Sequence, residues 1–257
     1  MVSRPLGRTG LLVSPIALGT TKLGRNTEVK YPEPFALPSD EQAHDLLQRC
    51  LRLGVNLIDT APAYGECEQR LGPFVAANRG RLVICTKCGE RYEHGRSSYD
   101  FSAPALTASV DESLRRLRTD HIDILILHSN GEDIEILTRT DALQALVRFK
   151  KAGKIRAAGI SAKTAAGIIE ASRTLDVVMA PFSRTDSSLA EALKEAHARG
   201  LGVLAIKGLS SGHLEAGPAI EFVLRQPFID ALILGTINPV HLADAVAVAE
   251  QFEPERS

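Results

Sequence analysis

No apolar run in this sequence approaches the ~20 residues needed to cross a bilayer, and neither sign of charge dominates: 30 Lys and Arg stand against 31 Asp and Glu. The first shortage excludes a membrane-spanning helix. The second removes the electrostatic case for nucleic acid or an acidic membrane surface, and leaves small neutral or anionic ligands open. Residues 1–8 lack a long apolar stretch behind their positive charge, so no secretory leader is expected and the chain is expected in the cytoplasm. Cysteine is scarce: Cys50, Cys67, Cys85 and Cys88 are the whole set, and a reducing compartment keeps them as thiols. Cys85-Thr86-Lys87-Cys88 matches C-x-x-C, but no second Cys or His pair follows at zinc-site spacing, so no metal is expected.

What is present is an ordinary soluble composition, 44% hydrophobic and 24% charged, over 257 residues. Length alone allows one large α/β domain or two small ones. The pattern chooses. Residues 1–19 hold two short extended pieces around a Thr9-Gly10 turn, a hairpin leading into a strand near Ile16 that stops at Gly19. Residues 24–38, rich in Pro and polar groups, read as a loop. Helix-period segments then fall near 40–53, 66–78, 103–118, 138–152, 164–173, 186–199, 216–226 and 239–252. Short apolar runs separate them at 55–59, 82–87, 122–128, 157–161, 177–181, 202–207 and 231–235. With the strand near Ile16 the strand count is eight, which predicts a single (β/α)8 TIM barrel domain spanning 1–257 behind an N-terminal β-hairpin; such barrels typically run to ~250 residues. An open doubly wound sheet is the structural rival, and it would usually carry a Gly-rich turn after its first strand, where Gly19-Thr20-Thr21-Lys22-Leu23-Gly24 is sparse in Gly.

In a barrel the chemistry belongs at the C-terminal ends of the strands. Asp59 ends the second, Lys87 the third, His128 the fourth, Ser161 the fifth and Lys207 the seventh. Alternation then turns Val83, Cys85, Ile124 and Ile126 inward with them. Taken singly, a strand-end Lys usually lies in solvent, a lone His is usually structural, and Tyr64 could merely cap the barrel. Asp59, Lys87 and His128 at equivalent ends of three consecutive strands, with Tyr64 a turn beyond the first, form a set with a purpose. A carboxylate holds a buried ammonium charged, the ammonium favours the phenolate of a neighbouring tyrosine and so lowers its pKa, and an imidazole can orient a carbonyl oxygen. Such a set protonates a carbonyl while a separate donor delivers hydride, so a cofactor is required.

These residues resemble the aldo-keto reductase family. The similarity is carried by residues 54–72, with Asp59-Thr60-Ala61-Pro62-Ala63-Tyr64-Gly65 and Glu68-Gln69-Arg70-Leu71-Gly72, and it extends through Thr86-Lys87, the 114–123 segment, Leu127-His128 and the hairpin Gly7-Arg8-Thr9-Gly10-Leu11. The resemblance implies a catalytic tetrad of Asp59, Tyr64, Lys87 and His128, reducing a small aldehyde or ketone with Tyr64 as general acid. It implies NADPH, with NADH possible, lying across the barrel mouth. The nicotinamide ribose is expected against Gly19, Thr20, Thr21 and Asp59, the carboxamide at Ser161, and the pyrophosphate along Lys207, Gly208, Leu209 and Ser211. That last loop makes independent sense, because Gly and Ser offer backbone and hydroxyl donors to phosphate.

The sequence departs from the family's pattern on the cofactor side. Ala162 stands where Asn commonly follows the serine, Met179 where Gln commonly ends the sixth strand, and Ile206 where an aromatic usually stacks on the nicotinamide. Met179 and Ile206 replace those contacts by apolar packing. Gly235 and Thr236 open the segment that in the family often holds basic residues for the 2′-phosphate; here only His241 supplies charge, and only when protonated. The chain stops soon after the last helix, so substrate walls are expected from 22–38 and 88–102, where Tyr92, His94, Arg96, Tyr99 and Phe101 offer contacts. A catalytically weak NAD(P)H-binding redox sensor is the alternative function, and a barrel aldolase using Lys87 as a Schiff base is a third. Composition does not decide the oligomeric state.

Overall fold

The computed structural model describes residues 1–251; the expected chain end at 253–257 and the last residue of the 239–252 helix lie outside them. Eight parallel strands close into a barrel: β3 (Ile16–Gly19), β4 (Leu57–Asp59), β5 (Val83–Cys88), β8 (Ile122–Leu127), β9 (Ile155–Ser161), β10 (Val177–Pro181), β11 (Gly202–Ile206) and β12 (Ala231–Gly235), in that cyclic order. The predicted fold class is the observed one, and the doubly wound rival falls because β12 pairs back onto β3, Leu232 to Ile16 through Gly235 to Gly19.

Closure follows from strands apolar on both faces. Ala17, Leu57, Val83, Cys85, Ile124, Ile126, Ala157, Val177, Met179, Leu204, Ala231 and Ile233 form an inner core. Their neighbours along the strands, such as Ile84, Leu125, Leu127 and Val178, join the outer core under the helices. The antiparallel hairpin of β1 (Arg4–Pro5) and β2 (Leu12–Val13) closes the N-terminal end, since Leu6, Leu11 and Val13 belong to the inner core. Leu6 abuts Gly202 so closely that a Cβ there would lie 2.5 Å from its side chain.

The helices are α1 (Asp40–Arg52), α2 (Cys67–Asn78), α3 (Ala103–Leu117), α4 (Asp133–Arg139), α5 (Ala142–Lys151), α6 (Ala165–Ala171), α7 (Ala190–Ala198), α8 (Ala216–Leu224) and α9 (Pro239–Glu250). Ser39 starts α1 with a reciprocal capping box to Gln42, a device whose loss typically costs ~1 kcal/mol. The expected helix at 138–152 is α5, and a separate helix, α4, precedes it across a break at Thr140. Thr140 is extended (φ −116°, ψ 175°), with its hydroxyl donating to the Ile136 carbonyl at 2.7 Å and accepting from the Ala142 N–H at 3.2 Å. The hydroxyl thus satisfies backbone groups on both sides of the break, which a 3.6-residue apolar period does not reveal. Among the described residues no helix is long and apolar enough to cross a membrane.

Two features shape the mouth. Residues 88–102, expected to contribute substrate walls, contain an antiparallel hairpin of β6 (Glu90–Glu93) and β7 (Arg96–Tyr99). It is fixed at its root, where Gly89 takes φ +96° and a Cβ would lie 2.3 Å from the Phe101 ring, so only Gly fits. The loop at 24–38 lacks regular structure, as expected, but is anchored: the Lys22 ammonium sits 3.8 Å from the Tyr31 ring centroid, and the Arg25 guanidinium 3.4 Å from that of Tyr92.

Candidate active site

Asp59, Lys87 and His128 are brought together at the C-terminal ends of β4, β5 and β8. Backbone bonds set that mouth: the Thr60 N–H donates to the Cys85 carbonyl at 2.8 Å, and the His128 N–H to the Cys88 carbonyl at 2.8 Å. Thr20 clamps the other side, donating its N–H and its hydroxyl to the Asp59 carbonyl, each at 2.9 Å. The Thr20 hydroxyl is thereby engaged within the protein.

Lys87 is 2% exposed. Its ammonium donates to Asp59 Oδ1 at 2.5 Å and to the Thr60 carbonyl at 2.9 Å. Burial pushes its pKa down, but Asp59, Tyr64 and Cys85 together hold it above the ordinary lysine value, so it is a fixed cation. Tyr64 ends a short 3-10 turn, Pro62–Tyr64, that Pro starts and Gly65 stops. Its ring centroid lies 4.9 Å from Lys87 Nζ and 6.1 Å from that of His128, the two rings edge to face at 86°.

The phenol's acidity differs from the sequence expectation. Burial raises the Tyr64 pKa more than Lys87 lowers it, Asp59 adds to the rise, and hydrogen bonds with Lys87 and Thr21 oppose it. The ammonium therefore moderates a buried phenol and does not make it an unusually strong acid. At neutral pH Tyr64 keeps its proton, which is the state a proton donor needs.

Glu90, which the sequence reading passed over, completes the cluster. Its Oε2 lies 2.6 Å from His128 Nδ1, off the line of the ring N–H, so the contact is electrostatic rather than a straight hydrogen bond. Its Oε1 accepts from the Ser97 hydroxyl at 2.5 Å and from Tyr99 at 3.4 Å. Burial alone would raise its pKa, yet His128, Ser97 and Arg25 bring it down to about 2. Burial is also the largest influence on His128 and lowers its pKa, against the pull of Glu90. The available signal was Gly95 as turn punctuation between two short polar runs; nothing in the sequence pairs Glu90 with His128.

The candidate cofactor residues divide into two groups. Gly19 pairs with Gly235, Met179 with Ser161, and Ile206 with Pro181, so these ring the mouth on adjoining strands. Met179 and Ile206 face the interior. That parity turns Lys207 away from the interior face of β11, unlike the other strand-end groups. A left-handed turn redirects the chain there, with φ of 58° at Lys207, 46° at Ser210 and 60° at Ser211. Burial depresses the Lys207 pKa, and repulsion from Lys30 and Lys163 depresses it further, so three ammonium groups share one region of the mouth. Among the described residues the N–H groups of Gly208 and Leu209 have no acceptor. Unpaired donors beside clustered ammonium groups fit a pyrophosphate. In the next loop Thr236 and Asn238 are occupied with capping, Asn238 accepting from the Val240 N–H at 2.9 Å, while His241 is exposed. Between 235 and 241 no Lys or Arg is present for a 2′-phosphate.

Of the expected wall residues, Tyr92 is clamped by Arg25 and hydrogen-bonded to Thr27 at 3.2 Å. Phe101 is buried beneath Gly89, and His94 and Arg96 are exposed at the hairpin's far end. Among the described residues no group of three His, Cys, Asp or Glu is placed to hold a metal.

A closed parallel barrel whose buried lysine joins a carboxylate to a tyrosine beside a histidine defines a class of oxidoreductases. The sequence profile of the Aldo/keto reductase family matches residues 15–218, and the chain belongs to that family. An L-galactose dehydrogenase of Arabidopsis thaliana is 34% identical over 236 residues, covering 84% of this chain and 68% of that protein. Matches to other curated reductases and oxidoreductases span between 40% and 50% of those proteins' length. A crystal structure of a candidate aldo-keto reductase from Pseudomonas aeruginosa superimposes with a TM-score of 0.90 at 42% identity, covering 97% of this chain and 94% of that one. The holo form of an aldo-keto reductase from Bacillus halodurans shares the fold, with a TM-score of 0.85 at 24% identity over 97% of this chain and 91% of that one.

Proposed function

We propose that this oxidoreductase interconverts a small aldehyde or ketone and its alcohol, with Tyr64 as the proton donor to the carbonyl oxygen in the reducing direction. The observation that carries the reading is the buried Lys87 ammonium held between Asp59 and Tyr64. Lys87 stabilises the phenolate left when Tyr64 gives up its proton, and Asp59 keeps Lys87 charged while it does so. His128 lies across the Tyr64 ring and positions the substrate oxygen. The aliphatic interior below the mouth, with Met179 and Ile206 at its rim, keeps water from the reacting carbon.

A nicotinamide dinucleotide supplies the hydride in this chemistry. Gly208, Leu209 and Lys207 would hold its pyrophosphate, with Lys30 and Lys163 adding charge. Gly19, Thr21, Asp59 and Ser161 would meet its nicotinamide half, and Gly235, Thr236 and His241 its adenosine. We assign NADPH or NADH as cofactor, and the missing Lys and Arg at 235–241 leave little to discriminate in favour of NADPH.

The related L-galactose dehydrogenase and a D-threo-aldose 1-dehydrogenase, 28% identical over 233 residues, place sugars among the substrates to test. The decisive experiment is Tyr64→Phe assayed with 4-nitrobenzaldehyde and with L-galactose, beside fluorescence titration of NADPH and NADH. Loss of turnover in both directions with cofactor binding retained supports the assignment, and undiminished turnover ends it. Tight cofactor binding without turnover by the native protein would point instead to a sensor.

A further inference from the structure

The hairpin Glu90 is a buried ionised group at the mouth that the proton chemistry above does not use. It is 8% exposed and touches His128 directly. At 2.6 Å a carboxylate oxygen repels an unprotonated ring nitrogen even off the line of its lone pair, and attracts the hydrogen of a protonated one. The contact is tolerable only when Nδ1 carries a hydrogen. Glu90 is itself confined to the role of acceptor, because Ser97 and Tyr99 both donate to its other oxygen. Among the described residues Nε2 has no hydrogen-bond or ion-pair partner, the ion pair being made by Nδ1.

We propose that Glu90 is a positioning residue: it holds the proton of neutral His128 on Nδ1, so that Nε2 is an acceptor until the ring takes a second proton. The proposal rests on the carbonyl–alcohol reading of the site. Its consequence is a division by direction. Neutral His128 accepts the hydroxyl of an alcohol substrate, whereas orienting a carbonyl oxygen needs the imidazolium, whose Nε2–H donates. The groups facing the ring are Glu90 from the hairpin, Asp59 and Lys87 from the strand ends and Tyr64 from the 3-10 turn. Glu90 and Asp59 favour the charged ring, while burial and Lys87 oppose it. Reduction should therefore fall as pH rises through the His128 pKa while alcohol oxidation persists.

The test needs no turnover to begin. Long-range 1H–15N spectra of histidine-labelled protein, with His128 assigned by its loss in His128→Gln, report which ring nitrogen carries the proton. The expected result is the Nδ1–H form in the native protein, and an Nε2–H pattern overturns the proposal. Glu90→Gln removes the charge and keeps the shape. An opposing charge at this range shifts a pKa by about one unit or more, so the ring's titration should move down by at least that much. Glu90→Asp should restore part of the shift. Reduction kcat/KM of Glu90→Gln should drop about tenfold or more above the displaced limb and approach the native value at the acid end. A uniform loss at every pH, or an unmoved titration, overturns the proposal. If the native protein reduces no carbonyl, the functional reading fails and the spectra still decide whether Glu90 sets the tautomer.

Discussion

Replacing Asp59 by Asn tests the physical centre of this site without assuming any substrate. The carboxylate and the ammonium are 2.5 Å apart, and both side chains are nearly excluded from solvent. Removing one partner leaves a buried charge uncompensated, which typically costs 3–5 kcal/mol, on the order of 6–20 °C in Tm at this size. The sign of the pH dependence is the sharper expectation. In the native protein the Lys87 pKa is raised, so its contribution is fully present below the ordinary lysine value near 10.5 and is lost only at higher pH. Without Asp59, the remaining dominant influence is burial, which lowers the Lys87 pKa. The folded variant would then bind fewer protons than the unfolded chain over a window below 10.5, and stability would rise with pH across that window. Thermal melts of native and Asp59→Asn protein at pH 6, 8 and 10 should show the largest gap at pH 6 and a narrowing gap by pH 10. A constant gap, or one below about 0.5 kcal/mol, the range of ordinary surface substitutions, would refute the view that Asp59 holds a charged lysine.

Gly89→Ala forces a Cβ into the Phe101 ring at a positive φ, and it should lower the urea midpoint by the equivalent of about 1–3 kcal/mol while weakening substrate binding more than cofactor binding. Glu68 is fully buried against Thr86 at 2.7 Å, and burial raises its pKa above the ordinary carboxylate value. Its contribution is present below about 4.5 and is lost as pH rises through the folded pKa, so Glu68→Gln should gain Tm relative to the native protein on going from pH 5 to pH 8 in calorimetry. His241→Arg supplies a permanent cation and should tighten NADPH by about tenfold while leaving NADH unchanged, as read by fluorescence titration.

Parts of this site were legible because periodicity and strand parity are local. Alternation correctly put Val83, Cys85, Ile124 and Ile126 with the interior and thereby set Asp59, Lys87 and His128 on one rim. Lys207 does not join that rim, because it follows the inward Ile206 and a left-handed turn takes over there; a lysine carries no mark of that conformation in the sequence. The split at Thr140 escaped for a related reason, since a hydroxyl bonding backward to the Ile136 carbonyl leaves the apolar period intact. Glu90 escaped because its partner lies 38 residues away, with only packing to join them. The Tyr64 pKa went in the opposite direction from the charge argument because burial, which depends on the assembled mouth, outweighed the ammonium.

The hairpin at 90–99, expected as a substrate wall, also carries the carboxylate against His128. In many barrels, loops can be exchanged to alter what is bound while the strand ends go on performing the chemistry. Here the two jobs share one segment, so a graft that widens or reshapes the pocket also resets the histidine. Divergence toward new substrates would then be coupled to divergence in preferred direction and pH, and a hairpin exchange that keeps the acid at position 90 is the one that separates them.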